Sequence, residues 1–191
     1  MMARMTQTET LEERADQAAA GGQYGVAKSL LEQAVEGGGS SFALWNKLSA
    51  MRKASGDLQG ALAAIDRALA ISPLDFSGLL ARAVILDNLG APGAGEAYGY
   101  ALAQIRPDEE IPGPWQAAVA HARKRNNEYR DSLEGYLEKT LPPDLSEAER
   151  KRAERFITNR SRNTRHYHQE PCDFHYPGLP EIERASCRER V

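Results

Sequence analysis

The sequence predicts an all-α fold: a solenoid of three helix pairs, then a capping helix, a short helix and an extended C-terminal arm. Three observations predict it. Glycines recur at an interval of 34 residues (Gly22, Gly56 and Gly90), each inside a run of apolar residues at helical spacing. Alanine is abundant while aromatic residues make up only 7% of the 191 residues, a balance that suits closely packed helices better than the aromatic and β-branched strands of a sandwich. Prolines close the second unit and break the chain after the third, at Pro73, Pro107, Pro112 and Pro114.

The same interval relates other positions. Leu11, Trp45 and Leu79 fall in one frame, as do Ala15, Ser49 and Ala83, and Ala27, Ala61 and Gly95. Leu31, Ile65 and Gly99 follow, then Ala34, Ala68 and Leu102, and the frame closes on Gly39, Pro73 and Pro107. The glycine supplies the backbone freedom of a tight helix–helix turn. Small residues at the 15/49/83 and 27/61/95 positions let two antiparallel helices approach closely. Larger ones such as Trp45, Leu48, Ile65 and Leu69 fill the space between successive pairs. The closing proline cannot continue a helix and separates one unit from the next. In the third unit Gly95 and Gly99 occupy slots that should be filled, and Tyr98 and Ala101 predict a one-residue slip there.

The middle unit, residues 42–73, resembles the tetratricopeptide repeat. Trp45, Leu48, Gly56, Ala61, Ile65, Ala68 and Pro73 match that family's pattern. Ser49 and Arg52 depart from it, standing where glycine and tyrosine are usual. The first unit (8–41) lacks the closing proline and ends in Gly37, Gly38 and Gly39. Atypical terminal units are expected of a solenoid, whose ends meet something other than another repeat.

That resemblance implies a polypeptide partner, held on the face that the first helix of each unit lines. The expected groove residues are Ala43, Asn46, Ala50 and Lys53 in the second unit, and Ser77, Leu80, Val84 and Asp87 in the third. Some members of the family clamp a C-terminal carboxylate with lysines and asparagines on this face. Only Asn46 and Lys53 match such a set, so the expectation is a small, mixed groove for an unspecified segment.

After the repeats (1–110), residues 111–162 read as a helical cap and linker. Pro112 and Pro114 break the chain, and a long amphipathic helix is predicted from about Trp115 to Leu141, with Ala118, Ala122, Tyr129, Leu133, Tyr136 and Leu137 on one face. Trp115 is expected to be a core anchor. Pro142 and Pro143 end the helix. Ser146 and Glu149 then form a capping box for a short charged helix whose apolar contacts are Ala148, Ala153, Phe156 and Ile157.

Residues 163–183 change character. His166, His168 and His175 gather here with Glu170, Cys172 and Asp173. The residues alone leave two readings: His166 and His168 as a chelating pair, or an aromatic, proline-rich arm that docks on a neighbour. The run RFITNRSRNTRHYHQEPCDFHYPGLPEIE, and FHYPGLPEIE (174–183) above all, resembles the entry to the catalytic domain of bacterial aspartyl/asparaginyl β-hydroxylase-like proteins. In that family tetratricopeptide repeats precede a dioxygenase that uses iron(II) and 2-oxoglutarate. The resemblance implies a chain that stops before the iron-binding histidines. No catalytic, cofactor-binding or metal-binding residue is therefore expected here, and no hydroxylase activity from this chain alone. RASCRERV (184–191) breaks the pattern and reads as the translation of a sequencing adapter, a non-native tail in which Cys187 has no role.

Several function classes are excluded as expectations. Mean hydropathy is -0.56, and no stretch approaches the roughly 20 apolar residues of a membrane helix. The N-terminus has no secretory h-region. With two unpatterned cysteines, a reducing, cytoplasmic location is expected. Residues 121–165 hold 12 Lys/Arg against 8 Asp/Glu, a net of +4, but the signs are interleaved as on solvated helix faces, so no nucleic-acid partner is expected.

Overall fold

Each 34-residue unit folds as a pair of helices joined at its periodic glycine. The computed structural model describes residues 2–106 and 110–161, with side chains from residue 10 onward. The pairs are α1 (Met2–Ala20) with α2 (Tyr24–Glu36), α3 (Phe42–Ala54) with α4 (Leu58–Ile71), and α5 (Phe76–Asn88) with α6 (Ala94–Leu102). A long α7 (Gly113–Thr140) and a shorter α8 (Glu147–Ser161) follow, and no strand occurs among the described residues. Each pair packs most closely on itself. The second helix of one pair then meets the first of the next, from α2 to α3, α4 to α5 and α6 to α7. Pro107, the extended arm with His166, His168 and His175, and the tail 184–191 lie outside the described residues.

The repeat is visible in the backbone hydrogen bonds. Gly22, Gly56 and Gly90 sit at φ of 74°, 83° and 65°, the left-handed region that closes a helix sharply. In each unit the glycine N–H donates to the carbonyl three residues back, to Ala19, Lys53 and Asp87. The next N–H reaches five residues back, from Gln23 to Ala18, Asp57 to Arg52 and Ala91 to Leu86, at 2.8–2.9 Å. This is the Schellman closure, and it supplies partners for carbonyls that the helix end would otherwise orphan.

The small residues meet as the spacing requires. Ala15, Ala27, Ala34, Ala61, Ala68 and Ala83 are all buried, and Leu31, Leu44, Leu48, Ile65 and Ile85 fill the remaining core. Trp45 packs both against the core of Leu31, Leu44 and Leu48 and against that of Ala61, Ile65 and Ile85, and so joins successive units. The two departures from the repeat pattern have work to do. Buried Ser49 donates through Oγ to the Ala61 carbonyl at 2.9 Å, and Arg52 donates to the Gly60 carbonyl at 3.1 Å and to Glu32 at 2.9 Å.

The one-residue slip in α6 is present only in part. Its buried positions are Ala94, Tyr98, Gly99 and Ala101: Tyr98 and Gly99 stay in frame with buried Ala64 and Ile65 of α4, while Ala94 and Ala101 lie one residue ahead of Ala61 and Ala68. Gly95 and Gly99, the in-frame positions, are turned toward the elements that follow. A Cβ at Gly95 would overlap Tyr129 of α7, and one at Gly99 would overlap Asn126 of α7 and the Ser161 carbonyl of α8.

Three sequence expectations change. α7 begins at Gly113, because Pro114 occupies its first turn, where a proline has no intrahelical N–H to lose. Tyr136 and Phe156 are exposed, at 64% and 49%, and Ala148 is exposed as well, so α8 relies on Ile157 and half-buried Ala153 for apolar contact. Trp115 is 38% exposed and stands edge-on to Phe76 with ring centres 5.5 Å apart, an anchor at the rim of the core and not within it. The Ser146–Glu149 capping box forms as predicted: the Ser146 N–H donates to Glu149 at 2.9 Å, and these bonds hold the Glu149 carboxyl below the usual range.

Replacing Ile65, fully buried between the second and third pairs, by alanine should destabilise the protein by about 2–5 kcal/mol. Urea denaturation followed by circular dichroism measures this as a lower midpoint with unchanged slope.

Candidate partner-binding surface

The first helices α1, α3, α5 and then α7 form one layer, and ion pairs cross it. Lys47 of α3 meets Asp16 and Glu12 of α1 at 2.7 and 3.7 Å. Arg125 of α7 meets Asp87 of α5 in a bidentate pair, its Nε and Nη2 donating to the two carboxylate oxygens. Between these crossings lies the expected groove.

In the second unit it is open. Ala43 and Ala50 are exposed, and Asn46 and Lys53 are half-buried with no intramolecular polar partner among the described residues. An unsatisfied amide and an ammonium flanked by two methyl groups can accept and donate hydrogen bonds to an incoming peptide backbone.

The third unit differs. Leu80 is 4% exposed and packs with Leu79, Ala83, Tyr98, Ala101 and Ala122, so it belongs to the core and has no surface to present. Val84 lies against the same cluster. Ser77 donates to Asp75, the N-cap of α5, and is part of that cap. Asp87 is committed too. Besides Arg125 it accepts from the Tyr98 hydroxyl at 3.2 Å, and His121 Nε2 lies 3.6 Å away. The cause of the shortfall is α7, which stands where another repeat's first helix would and covers this part of the face.

The Arg125 hydrogen bonds hold the Asp87 carboxyl below its ordinary pKa, with the guanidinium charge and Tyr98 adding to the effect against some desolvation. Burial pushes the Tyr98 phenol well up, and the Asp87 charge raises it further, so Tyr98 remains a donor. Sequence reasoning missed this cluster because its members lie 11 and 38 residues apart and share no motif.

A further groove, about 630 Å³, lies between α4 and α6 on the second-helix side. Leu69, Leu79 and Leu86 line it beside the Asp66–Arg82 ion pair. Among the described residues no three His, Cys, Asp or Glu side chains come together as metal ligands would. No helix of the described residues is long and apolar enough to cross a membrane.

No family model matches this sequence, and no curated protein does. Solved structures do. The tetratricopeptide domain of OM64 from Arabidopsis superposes with a TM-score of 0.56 at 19% identity, covering 66% of this chain and 98% of that one. The tetratricopeptide domain of Sgt2 from Aspergillus fumigatus gives 0.53 at 17% identity, covering 75% and 93%. The fold is therefore of the tetratricopeptide type, a helical solenoid.

Asp87→Asn should lower stability at neutral pH by about 1–2 kcal/mol, since it weakens a charge-assisted pair that is partly solvated. The folded carboxyl has the lower pKa, so its contribution is complete above the unfolded value of about 3.9 and is lost as pH falls through the folded one. Thermal melts of both proteins across the acid range should show the gap closing below that value.

Proposed function

We propose that this chain is a polypeptide-binding repeat module whose open surface is the first-helix face of units one and two. The observation that carries this is the placing of Asn46 and Lys53 on one face: two half-buried polar groups without side-chain partners among the described residues, beside exposed Ala43 and Ala50. An extended segment laid there meets small side chains along its length and polar groups at intervals, the arrangement that backbone recognition uses. Interleaved charge on α7 and α8 favours a protein partner over nucleic acid, and a cytoplasmic location agrees with the unpatterned cysteines.

The finer reading concerns what the module serves. The run FHYPGLPEIE supports its being the repeat region of an aspartyl/asparaginyl β-hydroxylase-like protein, in which iron(II) and 2-oxoglutarate perform the oxidation on a separate domain and the repeats position the substrate polypeptide. The described residues offer no ligand set for the metal, so no catalytic step is assigned to them. The alternative is a stand-alone adaptor with the same groove and no associated chemistry. The gene sequence downstream of Glu183 separates the two, since only the first reading requires a β-rich domain with well-spaced histidines.

Selection from a displayed library of random peptides should yield binders to the full chain. Ala50→Arg, which fills the groove, should abolish their binding, while Ala63→Arg on the exposed side of α4 should leave it intact. Binders that tolerate Ala50→Arg, or none at all, would sink the groove assignment. Iron(II) with 2-oxoglutarate should leave the melting temperature of this chain unchanged in a thermal-shift assay. A clear stabilisation would mean that a site for them exists within it.

A further inference from the structure

Arg125 and Asn126 are neighbours on α7 that hold different parts of the molecule. Arg125 grips Asp87 on the groove-bearing layer. Asn126, 2% exposed, donates through Nδ2 to the Gly95 carbonyl of α6 at 2.9 Å and to the Ser161 carbonyl of α8 at 3.0 Å. Ser161 is itself fully buried, seated on Gly99 in a space that a methyl group would fill. Arg160 adds an ion pair to Glu96 of α6 at 3.1 Å.

This seating is not what hydrophobic burial alone would produce. α8 is charged on most of its surface, and Ile157 is its one buried apolar side chain among the described residues. A helix so poorly provided with apolar contacts has little to set its position along a neighbour. Here its last described turn is fixed by a hydrogen bond from the Asn126 amide to the buried Ser161 carbonyl. The receiving surface is α6, in the two slots where the repeat pattern carries alanine and isoleucine in the second unit and this unit carries Gly95 and Gly99.

We propose that the Gly95–Gly99 face of α6 and the Asn126 amide form a latch for the last described turn of α8. The latch sets the position and direction of α8 against the repeat array. Because Arg125 ties the same turn of α7 to Asp87, that direction is fixed relative to the first-helix layer.

Distance measurement by double electron–electron resonance tests this in the full chain. Cys172 and Cys187 are replaced by serine, and spin labels are placed at Ala63→Cys on α4 and Asn159→Cys on α8, both exposed positions. The latch requires one narrow distance peak. Asn126→Asp keeps the side-chain volume but sets an acceptor against two carbonyl oxygens, and should broaden or shift the peak while helix content by circular dichroism is retained. Gly99→Ala, whose methyl collides with the Ser161 carbonyl, should do the same with the amide donor still present. A broad distribution without either substitution would overturn the latch. So would a narrow, unshifted peak in either folded variant, and if one variant fails to fold, the other and the unsubstituted chain decide.

Discussion

The architecture depends on how closely the two helices of a pair can approach. Within the second unit the contact is made by Ser49, Ala61 and Ala68, all at or near zero exposure. An alanine methyl contributes little burial of its own, roughly that of one buried carbon at about 0.8 kcal/mol. Pairs built on it are thin and leave their larger side chains, Trp45, Ile65 and Leu69, facing outward. Those residues have to be covered by the next pair, which makes stacking obligatory and the isolated unit marginal. The left-handed glycine turn follows from the same constraint, since helices this close leave no room for a wider connection.

A stack of this kind must stop somewhere, and the third unit shows how it does so. α6 places Tyr98 and Ala101 in the core and sets Gly95 and buried Gly99 against α7 and α8. A regular repeat would present side chains there for another first helix. The bare backbone instead admits Tyr129 and Asn126 of α7 and the end of α8 at near-backbone distance. What looks like decay of the repeat is thus a change of docking partner. Phe76 against Trp115 and Asp87 against Arg125 extend the same junction into the first-helix layer.

Much of this was legible in the sequence, and the part that was not has a common cause. The helix pairs, the glycine turns and the Ser146 capping box all follow from local spacing, because helix geometry makes spacing a direct statement about faces. The positions of Leu80, Val84 and Asp87 did not follow. The repeat frame assigns them to an open groove, and only the docking of α7 removes them from it. Asn126 and Ser161 were equally silent, since a lone asparagine and a serine at a helix end carry no pattern until the backbone of α6 is brought beside them. Trp115, Tyr136 and Phe156 show the limit on the apolar side. Helical spacing names a face, but how deeply that face is buried depends on what packs opposite it, and Trp115, Tyr136 and Phe156 all stay exposed.

The covered third unit also bears on what the remaining surface can hold. With Leu80 in the core and Asp87 neutralised by Arg125, the open face is limited to α1 and α3 and carries Asn46, Lys53 and the Lys47–Asp16 pair. On the proposed reading such a face suits a short extended segment, recognised through its backbone, with affinity that is modest unless a second contact adds to it. A fixed seat for the last described turn of α8, tied through α7 to the groove-bearing layer, supplies a rigid neighbour for such a second contact. Groove and latch then act as two halves of one positioning device, joined through adjacent residues of α7.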